Sequence, residues 1–244
     1  MKNNKIIIAF IGSLAFVMGC WFLSNTFLKK NQSADLIQVT GLAEENFTSD
    51  LIVWSCTFSK QTMDLKESFQ ALKTDRQKMI DYMKKQGIDE NELIFSSVTT
   101  YSDFEYVSLP GGGSRKEFKG YLLSQTVRIE SKNVEKIEKL SREVTELIDL
   151  GVELRSESPQ YYYTKLAELK IKMIARATKD ARERAEKVAL NAKAKLGSLK
   201  QAEMGIFQIT AQNSSEEYSW GGTFNTSSKE KTASITMKLK FATH

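Results

Sequence analysis

Apolar and polar residues alternate in several short segments, as they do in half-buried β-strands. Ile52, Trp54, Cys56 and Phe58 alternate with small or polar residues, and this period of two predicts a strand. Residues 36–47 also predict a strand, and the short turn between the two segments predicts that they form a hairpin. Further strands are predicted at 93–106, 121–130, 152–156, within 199–209, and at 233–241.

Three helices are predicted between these strands. Asp64 followed by Glu67 is a capping signal, and apolar residues at helical spacing continue to Gly87, so residues 64–86 predict a helix. Asn133 caps a second apolar stripe that Gly151 closes. The third and longest helix is predicted at 159–196, with Ser158 as its N-cap.

The long helix carries small residues about four positions apart. Ala177, Ala181, Ala185 and Ala189 lie on one face, with charged residues between them. Small side chains permit close approach of a neighbouring element. Two interpretations follow: this Ala face lies on the sheet of its own domain, or it packs against another subunit.

Two loops stand out by composition. The glycine cluster at 110–114 predicts a mobile hairpin tip, and it lacks the context of a phosphate-binding loop because it leads towards a strand. The segment 211–228 is rich in Ser, Asn and Gly yet contains Tyr218, Trp220 and Phe224. These aromatics either fold back onto the sheet or bind a partner.

The N-terminal residues predict a membrane anchor. Residues 6–28 carry no charge, and as a helix they would span about 34 Å, which matches a bilayer core. Lys2 and Lys5 favour a cytoplasmic N-terminus with the body translocated. Residues 1–30 are therefore predicted to be a signal anchor, followed by a linker at 31–35 and a single extracytoplasmic domain at 36–244.

Alternative fates of this segment remain open. Removal of a signal peptide would release the body, and a loose lipobox before Cys20 would give a lipoprotein. A buried helix in a cytoplasmic protein is the remaining alternative. If the body is exported, the single cysteine that remains, Cys56, is expected to be a buried thiol.

Composition and charge exclude several function classes. The body after residue 30 carries 31 basic and 30 acidic residues, a net +1, so nucleic acid is not an expected partner. One histidine, His244, and two cysteines leave little for His-based catalysis or zinc binding. We predict no metal, no cofactor and no enzymatic activity; a hydrolase that uses only carboxylates is the enzymatic alternative.

Several short motifs resemble those of SIMPL-domain proteins. Val39-Thr40-Gly41 with Glu44 and Asp50 resembles the opening strand and turn of that family, although Ala43 and Ser49 replace its usual glycine and proline. Gly120-Tyr121 resembles a middle motif. The alanine-rich helix with Asp180-Ala181, ending near Leu196-Gly197, resembles the late part of the domain.

The resemblance implies an α+β domain with antiparallel strands, two medium helices and one long alanine-rich helix. It also implies a bacterial periplasmic, outer-membrane or surface location, oligomer formation, and association with envelope and oxidative-stress defence. It supplies no catalytic residue. We therefore expect a membrane-anchored, self-assembling envelope scaffold, or alternatively a monomeric module that binds a peptide, glycan or lipid through the 211–228 loop.

Overall fold

The computed structural model describes residues 12–14, 16–24, 36–110 and 112–243. They form a mixed α/β protein with antiparallel sheets. The strands are β1 (Leu36–Thr48), β2 (Leu51–Thr62), β3 (Ile94–Phe95), β4 (Thr99–Ser108), β5 (Ser114–Ser131), β6 (Glu153–Ser156), β7 (Gln160–Tyr162), β8 (Leu196–Met204), β9 (Gln208–Ala211) and β10 (Glu230–Thr243). The helices are α1 (Leu65–Lys85), α2 (Val134–Glu143) and α3 (Leu166–Asn191), with short 3-10 turns at Glu90–Glu92 and Val144–Ile148.

The predicted anchor falls largely outside the described residues. Within it, residues 12–14 and 16–24 are helical. Over the part of the chain that the structure describes, no helix is both long and apolar enough to cross a bilayer. The predicted linker, 31–35, also lies outside the described residues.

The chain divides into two compact units. The terminal unit comprises the described residues up to Ala43, Ile174–Gly205, and those from Ile235 onward; the central unit comprises Glu44–Met173 and Ile206–Ser234. In the four-stranded sheet the order is β1-β10-β8, with β9 also paired to β10. In the six-stranded sheet the order is β3-β5-β2-β6, with β4 on β5 and β7 on β2.

The six-stranded sheet confirms the alternation predicted for β2. Its residues Ile52 to Thr62 pair with Ser131 to Tyr121 of β5, and Ile52, Trp54, Cys56 and Phe58 are buried. These side chains share a core with apolar residues of α1 and α2, including Met79 and Ile137. The Asp64 carboxylate accepts a hydrogen bond from the Glu67 N–H at 2.9 Å, which confirms the predicted N-cap of α1.

The predicted hairpin between the first two strands is wrong. β1 lies in the four-stranded sheet, whereas β2 lies in the six-stranded sheet. The backbone between them bonds to other segments of the central unit: Ser49 N–H donates to the Lys229 carbonyl and Asp50 N–H to the Tyr162 carbonyl, both at 3.0 Å. The turn therefore connects a strand of the four-stranded sheet to a strand of the six-stranded sheet.

The predicted limits of the long helix are also wrong. Residues 160–162 form β7 and pair with Leu51–Val53 of β2, so α3 begins only at Leu166. The Asp50 carboxylate accepts hydrogen bonds from the N–H and the Oγ1 of Thr164, both at 2.7 Å. At the other end, Lys193 adopts the left-handed conformation, with φ of 56°, and this turn replaces the stop predicted at Gly197.

Candidate functional site

The aromatic loop, residues 211–228, exposes all three of its aromatic side chains. Tyr218 is 60% exposed, Trp220 96% and Phe224 51%. The interpretation in which they fold back onto the sheet is therefore not supported. A tryptophan that remains almost entirely in water has a large apolar surface available for a partner.

The backbone of the aromatic loop is held by a dense set of hydrogen bonds within the central unit. The Gln208 side chain donates to the Ser219 carbonyl at 2.9 Å and accepts from the Thr223 N–H at 2.6 Å. The Asn225 N–H donates to the Ile209 carbonyl at 2.9 Å. Because Gln208 and Asn225 are buried, they fix the loop from beneath and leave Trp220 at its tip.

Lys231 lies under the same loop and is 2% exposed. Its ammonium donates hydrogen bonds to the Tyr161 carbonyl, at 2.9 Å, and to the Asn225 carbonyl. Burial lowers the pKa of Lys231 from 10.5 to about 8, against a smaller opposing effect of the Glu216 carboxylate. The sequence offered no signal for this lysine beyond its place on the face of β10 that otherwise carries apolar residues such as Ala233 and Ile235.

The buried lysine makes stability depend on pH in a defined direction. Between pH 8 and pH 10.5 the unfolded chain binds more protons at Lys231 than the folded chain, so its contribution to stability rises with pH. We compare the free energy of unfolding of the wild type with that of Lys231→Met. The wild-type value minus the variant value should be about 1–2 kcal/mol larger at pH 9.5 than at pH 7. Urea unfolding of both proteins at the two pH values measures this change. If the difference between the two proteins were the same at both pH values, the lowered pKa of Lys231 would be wrong.

A small cavity, which we call the α1 cavity, lies in the central unit beside α1. Its volume is about 200 Å³, and its lining residues are Phe69, Leu72, Lys73, Arg76, Val98 and Gln125. The four residues from α1 have the spacing i, i+3, i+4 and i+7 and so lie on one face of the helix. This volume is below the roughly 300 Å³ of ordinary small-molecule pockets, but it suits a single large side chain.

The α1 cavity has one buried polar side chain, Gln125, and two exposed ones, Lys73 and Arg76. Gln125 is 7% exposed, and its Nε2 donates to the Ser96 carbonyl at 2.7 Å. Lys73 and Arg76 are exposed, and the Arg76 guanidinium lies 4.3 Å from the centre of the Phe95 ring. The cavity is therefore apolar with one buried amide and two cations.

A larger cleft of about 630 Å³ lies on the central unit near β2 and β7. It is lined by Val53, Ser55, Arg128, Glu157, Ser158, Gln160 and Tyr162. Its one carboxylate, Glu157, accepts from Arg155 Nε at 2.8 Å. An ion-paired acid without a second carboxylate or an imidazole in the lining does not make a general acid–base pair.

Part of the hairpin formed by β4 and β5 extends as a two-stranded ribbon, which we define as the described residues 103–110 and 112–120. The last residue of β5 that pairs with β2 is Tyr121, opposite Thr62, whereas β4 and β5 continue to pair as far as Ser108 and Ser114. Gly120 has φ of +126°, and a Cβ there would lie 2.5 Å from the Thr62 carbonyl oxygen. Glycine is thus required where the ribbon leaves the sheet.

Aromatic residues cover the ribbon and its base. The Phe118 ring lies 5.4 Å from the Phe104 ring and 5.1 Å from the Tyr121 ring, between centroids. Tyr101 and Tyr106 remain largely exposed. The predicted hairpin at the glycine cluster is confirmed, although Gly111 lies outside the described residues; the exposed aromatics of the ribbon were not singled out from the sequence.

The Ala face of α3 is covered by the chain itself. Ala177, Ala181, Ala185 and Ala189 are all buried. The reason is a close approach within the terminal unit: a Cβ on Gly41 of β1 would lie 2.2 Å from the Ala177 carbonyl oxygen and 2.7 Å from the Ala181 Cβ. The interpretation in which this face lies on its own sheet is supported, and a subunit contact would have to use another face.

Asp180 joins the same two elements. Its Oδ2 accepts hydrogen bonds from the Leu42 N–H and from Arg184 Nε, both at 2.8 Å. The hydrogen bond from the Leu42 backbone is the main cause that lowers the Asp180 pKa below 3.8. This carboxylate therefore holds β1 against α3 at neutral pH, and its contribution is lost as the pH falls through the lowered pKa.

The remaining chemistry is sparse. Among the described residues, no cluster of His, Cys, Asp and Glu has the arrangement of a metal site. Cys56 is buried, as predicted, and burial raises its thiol pKa to about 12, so this thiol is not a reactive nucleophile at neutral pH. The aromatic loop, the α1 cavity and the ribbon are features of the described residues that could contact a partner.

Comparison with known proteins identifies the family of the chain. A family model described as "SIMPL: Protein of unknown function (DUF541)" matches residues 37–241. No curated protein sequence matches the chain. The matched segment includes Gly41, Gly120 and Asp180, and the structure gives two glycines a close-packing role and Asp180 a bridging role. The chain belongs to the SIMPL family.

Proposed function

We propose that this protein is a non-enzymatic scaffold of the bacterial cell envelope, which is anchored in the membrane and works by assembling with further copies of itself. The uncharged segment at 6–28 supports the anchor, with the N-terminus in the cytoplasm and the body outside it. A role in envelope and oxidative-stress defence is the expectation that the family resemblance adds. Lipidation at Cys20 and signal cleavage are the alternatives for attachment.

The ribbon carries the assembly proposal. A two-stranded ribbon is marginally stable alone in water, and over the described chain no strand other than β5 pairs with β4. Such an edge is a template for pairing with another chain. Tyr101 and Tyr106 add exposed aromatic area beside that edge, and aromatic residues are enriched where proteins associate.

The ribbon also carries complementary charge. β4 contributes Asp103 and Glu105, whereas β5 contributes Arg115, Lys116 and Lys119 against one acid, Glu117, which pairs with Arg115. Within one chain, Lys119 Nζ lies 2.6 Å from Glu105 Oε2. An acidic strand and a basic strand favour an ordered contact between ribbons of different copies over random aggregation.

Substituting the two exposed tyrosines of β4 should weaken assembly. The double variant Tyr101→Glu, Tyr106→Glu places charge on two exposed aromatic positions, and we expect the self-association constant to fall at least tenfold, about 1.4 kcal/mol. The measurement is the protein mass of the full chain in mild detergent by size-exclusion chromatography with light scattering. Leu190→Glu, at another exposed apolar side chain, is the control. An unchanged mass of the double variant would contradict the role of the ribbon.

A second candidate function rests on the aromatic loop. A fixed backbone that presents Trp220 in water is suited to binding a peptide, glycan or lipid of the envelope without assembly. In that case Trp220→Ala would abolish binding of the full chain to purified membrane vesicles or cell-wall glycan. The wild type would remain monomeric at every concentration.

A further inference from the structure

We propose that Trp220 of one copy inserts into the α1 cavity of a second copy. This inference rests on the proposed self-assembly and names one of its contacts. The aromatic loop and the α1 cavity both belong to the central unit, so every copy contains both halves of the contact.

Size and exposure match on the two sides. Trp220 is 96% exposed at the tip of a loop whose backbone is held by Gln208 and Asn225. The α1 cavity has a volume of about 200 Å³ with apolar lining from Phe69, Leu72 and Val98. Because the loop is already fixed, insertion costs little further ordering of the backbone.

The unused hydrogen-bonding groups also match. Within the described residues, the Trp220 indole N–H has no acceptor, and Gln125 uses its Nε2 while its Oε1 accepts no hydrogen bond. An indole N–H that becomes buried requires an acceptor. The Gln125 Oε1 keeps access to solvent, so an inserted donor can reach it. Insertion of the indole would pair these two groups.

The charges around the two sides are opposite. Glu217 lies three residues before Trp220, and Lys73 lines the α1 cavity. Neither side chain forms an ion pair with another residue that the structure describes. Because Arg76 adds a second cation to the cavity lining, an acidic loop that carries an aromatic side chain is the complementary occupant.

The contact is head-to-tail. The aromatic loop of one copy meets a different surface on the next copy, so repetition of the contact gives a closed ring or an open chain. The surface area that one inserted side chain buries is much smaller than the roughly 1,600 Å² of a standard interface. The contact therefore sets the geometry of an assembly to which the ribbon also contributes.

Substitution of the tryptophan and reversal of the charges test this contact in the full chain in mild detergent. Trp220→Ala should raise the dissociation constant for self-association about 30-fold, as expected for an anchoring aromatic residue. Glu217→Lys and Lys73→Glu should each weaken association severalfold, and the double variant should restore it. Lys66→Glu, at another exposed lysine of α1, is the matched control and should not rescue Glu217→Lys.

The outcomes separate this inference from the proposed function. Restoration by the double charge reversal supports insertion into the α1 cavity. If Trp220→Ala weakens association but Lys73→Glu does not rescue Glu217→Lys, the tryptophan meets another surface and the inference is overturned. If the protein is a multimer that none of these variants affects, the inference fails while self-assembly stands. If the wild type is monomeric throughout, both fail.

Discussion

Replacement of Gly41 by valine is expected to lower the free energy of unfolding by about 3 kcal/mol or more. A Cβ at this position would lie 2.2 Å from the Ala177 carbonyl oxygen and 2.4 Å from the Ala181 backbone nitrogen. Both contacts are with helix backbone, which cannot move aside as a flexible side chain could. β1 would have to separate from α3, and the buried alanines would lose their packing.

Urea unfolding followed by circular dichroism measures this loss. Gly221→Ala is the matched control, because a Cβ there meets nothing within 4 Å, and we expect its effect to stay within about 0.5 kcal/mol. If Gly41→Val were as stable as the control, the close approach of β1 to the Ala face would be wrong.

Replacement of Trp54 by alanine should be comparably damaging in the central unit. Trp54 is among the largest fully buried side chains, and its Nε1 donates to Ser156 Oγ at 3.1 Å, which in turn donates to the Ser141 carbonyl at 2.9 Å. Truncation leaves a cavity and removes a hydrogen bond that connects β2 to β6. The expected loss is about 3–5 kcal/mol.

Trp220→Ala provides the matched comparison on the same residue type. Because Trp220 is almost fully exposed, its truncation should change the free energy of unfolding by less than about 0.5 kcal/mol, measured on the monomer at low protein concentration. Similar losses at the two tryptophans would contradict the burial that distinguishes them.

Local patterns in the sequence predicted local structure well. The alternation in β2 and the Asp64 cap of α1 depend on neighbouring residues, and both are confirmed. The failures concern partners that are distant in the chain. β2 pairs with β5 rather than β1. The sequence pattern placed Tyr161 and Tyr162 at the start of a helix, but they pair with β2 and form a strand.

The candidate sites show the same division. The four-residue spacing of the alanines in α3 predicted that another element approaches the Ala face closely. It did not indicate that the neighbour is Gly41, or that the chain itself covers the Ala face. The aromatics of the 211–228 loop were visible in the sequence, whereas their exposure depends on hydrogen bonds from Gln208 and Asn225. The α1 cavity combines three separate segments, so no local pattern predicted it.

The central proposal is self-assembly, and the absolute mass of the wild-type full chain tests it most directly. The measurement is size-exclusion chromatography with light scattering in mild detergent over a range of protein concentrations, with the detergent contribution subtracted. We expect a discrete multimer that dissociates only at low concentration. A mass of 27.7 kDa at every concentration would contradict the scaffold and leave the aromatic loop as a binding surface of a monomer.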